Sequence, residues 1–260
     1  MIVQQKKRGI KMKNKKKVHL VMPMGGAGSR FFKNGFIMPK PLIEIKGKPF
    51  LYWATKCISN YIDVEDVTFV VLQEHIDEFK INDVIKKHFP TAKITVIPKI
   101  LKGAVLTCVE GIKNIDDSLP IIFNDCDHIF ECKEFYDYCN AGNFDEIDGA
   151  LLSFKSEDPK FSFLKLDDNG YVTETVEKVV VSNNAICGAY YFKNKEIFIS
   201  MVNEYLEKCS YSEYFVSGVY NIMASHNKKI RNFVVDSHTP FGTPDEYEEA
   251  TKSDKFEVLA

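Results

Sequence analysis

The chain has 260 residues, 45% of them hydrophobic and 27% charged, with a formal net charge of -2. This suits one sizeable globular domain, or one domain with a small appendage, and excludes nucleic-acid binding through overall charge. No window approaches the length of a transmembrane helix. The seven cysteines are odd in number and lack C-x-x-C spacing, which fits reduced thiols in the cytoplasm better than a disulfide framework or a zinc site.

Residues 1–17 hold eight basic residues and no acid, leaving 26 of the 34 basic residues against all 36 acidic ones. This segment lacks an apolar stretch, so it is no secretory signal; a solvated, mobile tail is expected, with weak contact to nucleic acid or acidic lipid as the sharper reading. Residues 18–260 are expected to form one domain. Strands are predicted over 18–24, 67–72, 94–97 and 119–123, alternating with helices over 50–61, 75–88 and 103–112. Apolar runs separated by helices imply a parallel sheet covered on both faces, with right-handed crossovers. The rhythm then changes to short strands over 149–154, 161–166, 171–176 and 187–192. Asp167-Asp168-Asn169-Gly170 reads as a hairpin turn. Helices over 195–208 and 212–225, a strand over 230–235 and a last helix follow. Thr243 caps that helix, Pro244 takes its first position and acids fill its first turn.

The densest signal is Pro23-Met24-Gly25-Gly26-Ala27-Gly28-Ser29-Arg30, with Pro39-Lys40-Pro41 downstream. A glycine-rich turn leaving a buried strand brings backbone N–H groups up to an anion. Arg30 and Lys40 add two cations at the same mouth. A Walker-type loop needs G-x-x-x-x-G-K-[ST], which nothing here matches. A dinucleotide fingerprint needs glycine where Phe31 stands. A third pattern, G-G-x-G-[ST]-R followed by P-K-P, is matched throughout. Alone, Pro39-Lys40-Pro41 reads as a rigid turn with an exposed lysine; the loop upstream favours a phosphate site.

These blocks resemble the nucleotidylyltransferases that join an NTP to a sugar 1-phosphate. The resemblance is strongest to a bacterial subgroup of surface-polysaccharide pathways reading P-M-x-G-x-G-S-R-F, then P-K-P-L-I-x-I-x-G-K-P. Blocks at 102–107, 124–128, 177–192, 213–221 and 242–247 extend it over nearly the whole chain after residue 17. It implies an α/β, GT-A-like fold: Rossmann-like, three-layer α/β/α, with a mostly parallel mixed sheet and a smaller antiparallel acceptor-binding portion. Residues 18–130 would be the NTP-binding half and 131–260 the acceptor-binding half. The resemblance assigns the nucleotide phosphates to Met24, Gly25, Gly26, Ala27, Gly28 and Ser29. Arg30 and Lys40 neutralise charge at the reacting phosphorus, and Gly103, Ala104 and Gln73 contact the base. The tight Gly103-Ala104 segment tolerates a pyrimidine at least as well as a purine, a lean toward CTP or UTP/dTTP.

Residues 121–128, Ile-Ile-Phe-Asn-Asp-Cys-Asp-His, read as a buried strand ending in acids. Ligands of open α/β sheets sit beyond such strand ends. A carboxylate there can hold Mg2+, which binds one or two carboxylates plus phosphate oxygens. By resemblance the metal falls to Asp127, with Asp125 as alternate ligand, supporting partner or helix cap. Many relatives carry a second metal-binding Asp two residues before the Gly-Thr that opens the last helix. Here Pro240 holds that position, and Asp236 is the nearby substitute. His128 stays open between acceptor contact and a core or surface role.

Glu177-Lys178, followed by Cys187-Gly188-Ala189-Tyr190-Tyr191-Phe192, resembles the family's E-K-P…G-x-Y-Y-F, with Val179 replacing Pro. The resemblance gives Glu177 an acceptor hydroxyl or amine, Lys178 the acceptor phosphate, and Gly188 a place beside them. An exposed ion pair at a strand end is the plain alternative. The implied reaction is attack by an acceptor phosphate on the α-phosphorus of NTP, making an activated precursor for capsule or surface polysaccharide. Partners are then NTP and a phosphorylated small molecule, with no nucleic acid and no membrane; a homodimer is compatible. Three alternatives remain open: a non-sugar acceptor, a glycosyltransferase using Asp125-Cys126-Asp127 as D-x-D, and a ligand-binding homologue without activity.

Overall fold

The computed structural model describes residues 17–259, so the basic tail lies outside the described residues except for Lys17, which pairs with Glu65 at 3.0 Å. Alternating apolar residues build the central sheet. In the strand Val18–Pro23, Leu20 and Met22 join Phe69, Ile122 and Trp53 on one side, while Val21 joins Val70, Phe123 and Val105 on the other. A strand apolar on both faces belongs in the middle of a covered sheet.

The nine-stranded sheet runs in the order Val172–Glu177, Ser162–Leu166, Asn184–Phe192, Ile121–Asn124, Val18–Pro23, Val64–Leu72, Lys93–Ile97; Gly149–Lys155 and Ile230–Val234 branch from Asn184–Phe192. Val18–Pro23 is parallel to both neighbours, and Asn184–Phe192 enters antiparallel beside Ile121–Asn124. The helix Phe50–Ser59 covers one face through Leu51, Trp53 and Ile58. Ala104–Gly111, Lys195–Lys208 and Val216–Ser225 cover the other through Val105, Cys108, Phe198 and Tyr220. Each such fully buried large side chain contributes about 1.5–3 kcal/mol relative to exposure. The result is the expected three-layer α/β/α arrangement around a mixed sheet.

Several expected elements differ in detail. The helix expected over 75–88 is two helices, Gln73–Phe79 and Ile81–His88. Lys80 between them is left-handed, φ 53°, and the turn it makes brings Ile81 and Ile85 into the core. The helix expected over 212–225 begins only at Val216, because Tyr214 is held in an extended link by backbone bonds to Lys102 and Val105. The ribbon of His128–Glu131 with Ser237–Pro240 and the helix Lys133–Ala141 were not foreseen. That ribbon brings the start of the helix Pro244–Thr251, expected to be the last but followed by Lys255–Leu259, against the acidic strand end. There the Thr243 hydroxyl accepts from Glu246 N at 3.3 Å, as its cap motif predicts.

Candidate active site

Beyond the carboxyl ends of Val18–Pro23 and Ile121–Asn124 lies a cleft of about 360 Å³. Met24, Gly25, Gly26, Ala27, Arg30, Lys40, Gly103, Ala104, Asp125 and Asp127 all line it. Gly28 and Ser29 stand just behind, where the short helix Ser29–Lys33 begins. Gly28 has φ 60°, a conformation that favours glycine, and a Cβ there would sit 3.4 Å from the Lys40 Cβ. The glycine loop therefore packs directly on the Pro39-Lys40-Pro41 segment, whose tight turn Lys40–Leu42 follows an extended Pro39. Arg30 is exposed at the cleft and makes no ion pair among the described residues.

Lys40 Nζ donates to Asp127 Oδ2 at 2.9 Å. Burial would raise the Asp127 carboxyl, but the Lys40 ammonium outweighs it and holds the group below the usual carboxylate range. Burial also acts to lower Lys40, and the Asp127 charge more than compensates, so this ammonium stays protonated well beyond its ordinary value. Asp125 makes no such ion pair among the described residues. Burial and the adjacent Asp127 charge, only partly offset by Lys40, push its carboxyl up to about 7. Two carboxyls crowded at one strand end form an all-oxygen donor set that a divalent cation would relieve, which fits Mg2+. Among the described residues no group of three or more His, Cys, Asp or Glu side chains could hold a metal ion. Phosphate and water would supply the remaining ligands.

Other expected positions fall elsewhere. Gln73 is exposed and donates to Asp77 Oδ1 at 2.9 Å, away from the cleft lining. Asp236 accepts from Lys133 N at 2.7 Å and so serves the start of the helix Lys133–Ala141, not the cleft. His128 is 3% exposed, stacks on Phe130, and burial pushes its imidazole down to about 4; it is a neutral core residue. None of the expected acceptor residues Glu177, Lys178 and Gly188 is among the cleft-lining residues, and Gly188 alone is in contact with one of them, Asp125. Asp125 N donates to Gly188 O at 3.0 Å, and a Cβ on Gly188 would sit 2.8 Å from Asp125 Oδ2. Glu177 is buried, with its two oxygens accepting from the hydroxyls of Ser162 (2.6 Å) and Ser217. Lys178 is exposed, with φ 55° and its Nζ 5.3 Å from the Phe215 ring centroid.

Ile100, Leu101, Thr107, Cys126 and Glu213 also line the cleft, and sequence reasoning passed over them as site residues. Thr107 lies four residues after Gly103, on the same helix face, so helical spacing would have found it. Glu213 arrives from a distant segment through packing, and its signal in the sequence is its place at the start of the 213–221 block.

Comparison with known proteins places this geometry among relatives. The model of the family described as Nucleotidyl transferase matches residues 20–256. A 2-C-methyl-D-erythritol 4-phosphate cytidylyltransferase of Clostridium perfringens (strain SM101 / Type A) is 30% identical over 100 residues. That match covers 38% of this chain and less than half, 43%, of the relative's length. Among solved structures, a nucleoside-diphosphate-sugar pyrophosphorylase from Vibrio cholerae RC9 superposes with TM-score 0.77 at 22% identity, covering 90% of this chain and 100% of that one. The inositol-1-phosphate CTP transferase from T. maritima gives TM-score 0.70 at 15% identity, covering 94% and 95%. At these identities the superpositions show a shared fold.

Proposed function

Because the chain belongs to the nucleotidyl transferase family, we propose that it moves a nucleoside monophosphate from an NTP to a phosphorylated small molecule and releases pyrophosphate. One observation carries this reading: the glycine loop, Arg30, which makes no ion pair among the described residues, and the Lys40–Asp127 pair converge on one cleft at a strand end. CTP is the first choice of donor and UTP or dTTP the next. The small Gly103-Ala104 segment supports a pyrimidine, and two of the similar proteins are named for cytidylyl or CTP transfer. The acceptor is a phosphomonoester such as a sugar 1-phosphate, and by resemblance the product feeds surface-polysaccharide synthesis. A non-sugar phosphate is the second reading, favoured by the name of the Clostridium relative.

An acceptor phosphate oxygen attacks the α-phosphorus in line. A new P–O bond forms, the bond to the α,β-bridging oxygen breaks, and pyrophosphate leaves with the electron pair. The acceptor is already a nucleophile, so no covalent enzyme intermediate is needed, and catalysis rests on positioning and charge neutralisation. Loop amides hold the phosphates, Arg30 and Lys40 oppose the charge that develops, and Lys178 holds the acceptor phosphate. Asp127, with Asp125 beside it, would hold Mg2+, which supplies further charge neutralisation when bound. All seven cysteines are free and six are buried, which supports a cytoplasmic setting. Among the described residues no helix is long and apolar enough to cross a membrane.

A matrix of NTPs against sugar 1-phosphates and other phosphomonoesters, read as pyrophosphate release, tests the proposal. Release is expected with CTP or another pyrimidine triphosphate and at least one phosphomonoester. Silence across the matrix would overturn it.

A further inference from the structure

We propose that Phe215 is a positioning residue: its ring holds the Lys178 ammonium where an acceptor phosphate must arrive. The proposal rests on the reading that Lys178 takes that phosphate. Lys178 is exposed, sits on a left-handed backbone with φ 55°, and makes no ion pair among the described residues. Its Nζ lies 5.3 Å from the Phe215 centroid, within cation–π range. A lysine on a free stem loses much rotamer entropy on gripping a phosphate. An aromatic face restrains the ammonium beforehand without neutralising it. A carboxylate partner in that place would compete with the phosphate.

The ring can act this way only if the segment that carries it is fixed, and backbone bonds anchor that segment from both sides. Tyr214 N donates to Lys102 O at 3.0 Å, and Val105 N donates to Tyr214 O at 3.2 Å. Tyr214 thus satisfies a helix-start N–H that has no partner within its own helix. The contact is so close that a Cβ on Gly103 would fall 2.3 Å from Tyr214 N, so glycine is required there. The Lys102 ammonium lies 4.7 Å from the Tyr214 ring centroid. On the far side Phe215 N donates to Tyr205 Oη at 3.2 Å. Two residues on, Ser217 bonds the Glu177 carboxylate through its hydroxyl, and its carbonyl accepts from Thr175 Oγ1 at 2.8 Å. Residues 214–217 therefore tie the base-side helix start to the strand end that carries Lys178.

The test follows the Lys178 side chain by NMR in protein carrying 13C-labelled lysine, the signal being assigned by its loss in Lys178→Arg. Upfield displacement by the Phe215 ring is expected, abolished in Phe215→Leu and kept in Phe215→Trp. Titration with inorganic phosphate, monitored at the same signal, should weaken about two- to fivefold in Phe215→Leu and recover in Phe215→Trp. CTP affinity measured by calorimetry should be unchanged in both variants. A wild-type signal without ring displacement overturns the proposal. So does phosphate binding that is equal in wild type and Phe215→Leu, which leaves the acceptor role of Lys178 intact. A signal that shows the ring displacement yet ignores phosphate overturns the acceptor role itself, and this proposal with it. Phe215→Trp keeps the test decisive should the leucine variant fold poorly.

Discussion

Lys40 and Asp127 are 87 positions apart and meet at 2.9 Å, while Arg30 at the same cleft touches no acid among the described residues. The two cations are therefore unequal. On the proposed reading Lys40 would be shared between a carboxylate and a phosphate, whereas Arg30 has no ion pair to lose among the described residues. Arg30→Ala should thus leave thermal stability unchanged and lower kcat about 10²–10³-fold, the loss typical of one preorganised charge-stabilising group; paired melting curves and pyrophosphate-release rates check this. Asp125 titrates differently folded and unfolded. Its carboxyl lies near 3.8 ordinarily and about 7 in the fold, because burial and Asp127 disfavour its charge. The folded state holds that proton more tightly. The resulting stability is full below about pH 4 and is lost as pH rises through 7. Asp125→Asn cannot charge, so at pH 8 it should melt above wild type by at least about 2–4 °C, the shift of one kcal/mol in a chain this size. The gap should close by pH 4, and a gap independent of pH would refute the argument. The loop's place at the cleft was legible because a glycine-rich run leaving a buried strand is a strong local signal. The Lys40–Asp127 contact and the Phe215–Lys178 stack were not, since both are made by tertiary packing. Asp236, proposed for its nearness to Pro240 in sequence, and Gln73, proposed for its amide, both lie off the cleft lining.

Long apolar strands and amphipathic helices could be read because burial imposes a period on many residues at once. Four-residue pieces such as His128–Glu131 carry too few alternations, and the left-handed Lys80 interrupts what reads as one continuous helix. Cap chemistry is the exception, a short signal with a strong cause. At the start of Pro244–Thr251 the Thr243 hydroxyl accepts from Glu246 N, and the Glu246 carboxylate in turn accepts from Gly242 N at 3.0 Å. This reciprocal arrangement matters beyond the helix, because a Cβ on Gly242 would fall 2.3 Å from Asp127 Oδ2. The helix start and the proposed metal carboxylate are pressed together. Thr243→Ala should therefore cost about 1 kcal/mol of stability. It should also raise the Mg2+ concentration needed for half-maximal activity, because the Gly242 backbone that braces Asp127 loosens. A stability loss with an unaltered Mg2+ requirement would limit Thr243 to a capping role.

At the scale of the whole chain, the expected division at 18–130 and 131–260 does not mark two folding units. The strand Asn184–Phe192 pairs directly with Ile121–Asn124 of the first half, and both layers of core draw on both halves. The end of the chain returns to the beginning. Phe256, fully buried on the helix Lys255–Leu259, packs on Trp53 at 5.1 Å, and Leu259 O accepts from the Asn60 side chain at 3.2 Å. With contacts crossing so often, neither half buries a complete core alone, and unfolding should be a single cooperative event despite the length. Phe256→Ala removes a ring from this junction and should cost about 3–5 kcal/mol. Calorimetry distinguishes the possibilities. One transition that moves as a whole to lower temperature is expected in the variant. A first-half transition that moves while a second stays in place would show two independent units. Deleting residues 1–15 supplies the contrast, since the apolar core clusters are built from residues 18–259: the transition and the rate of pyrophosphate release should both stay where they are in the full chain.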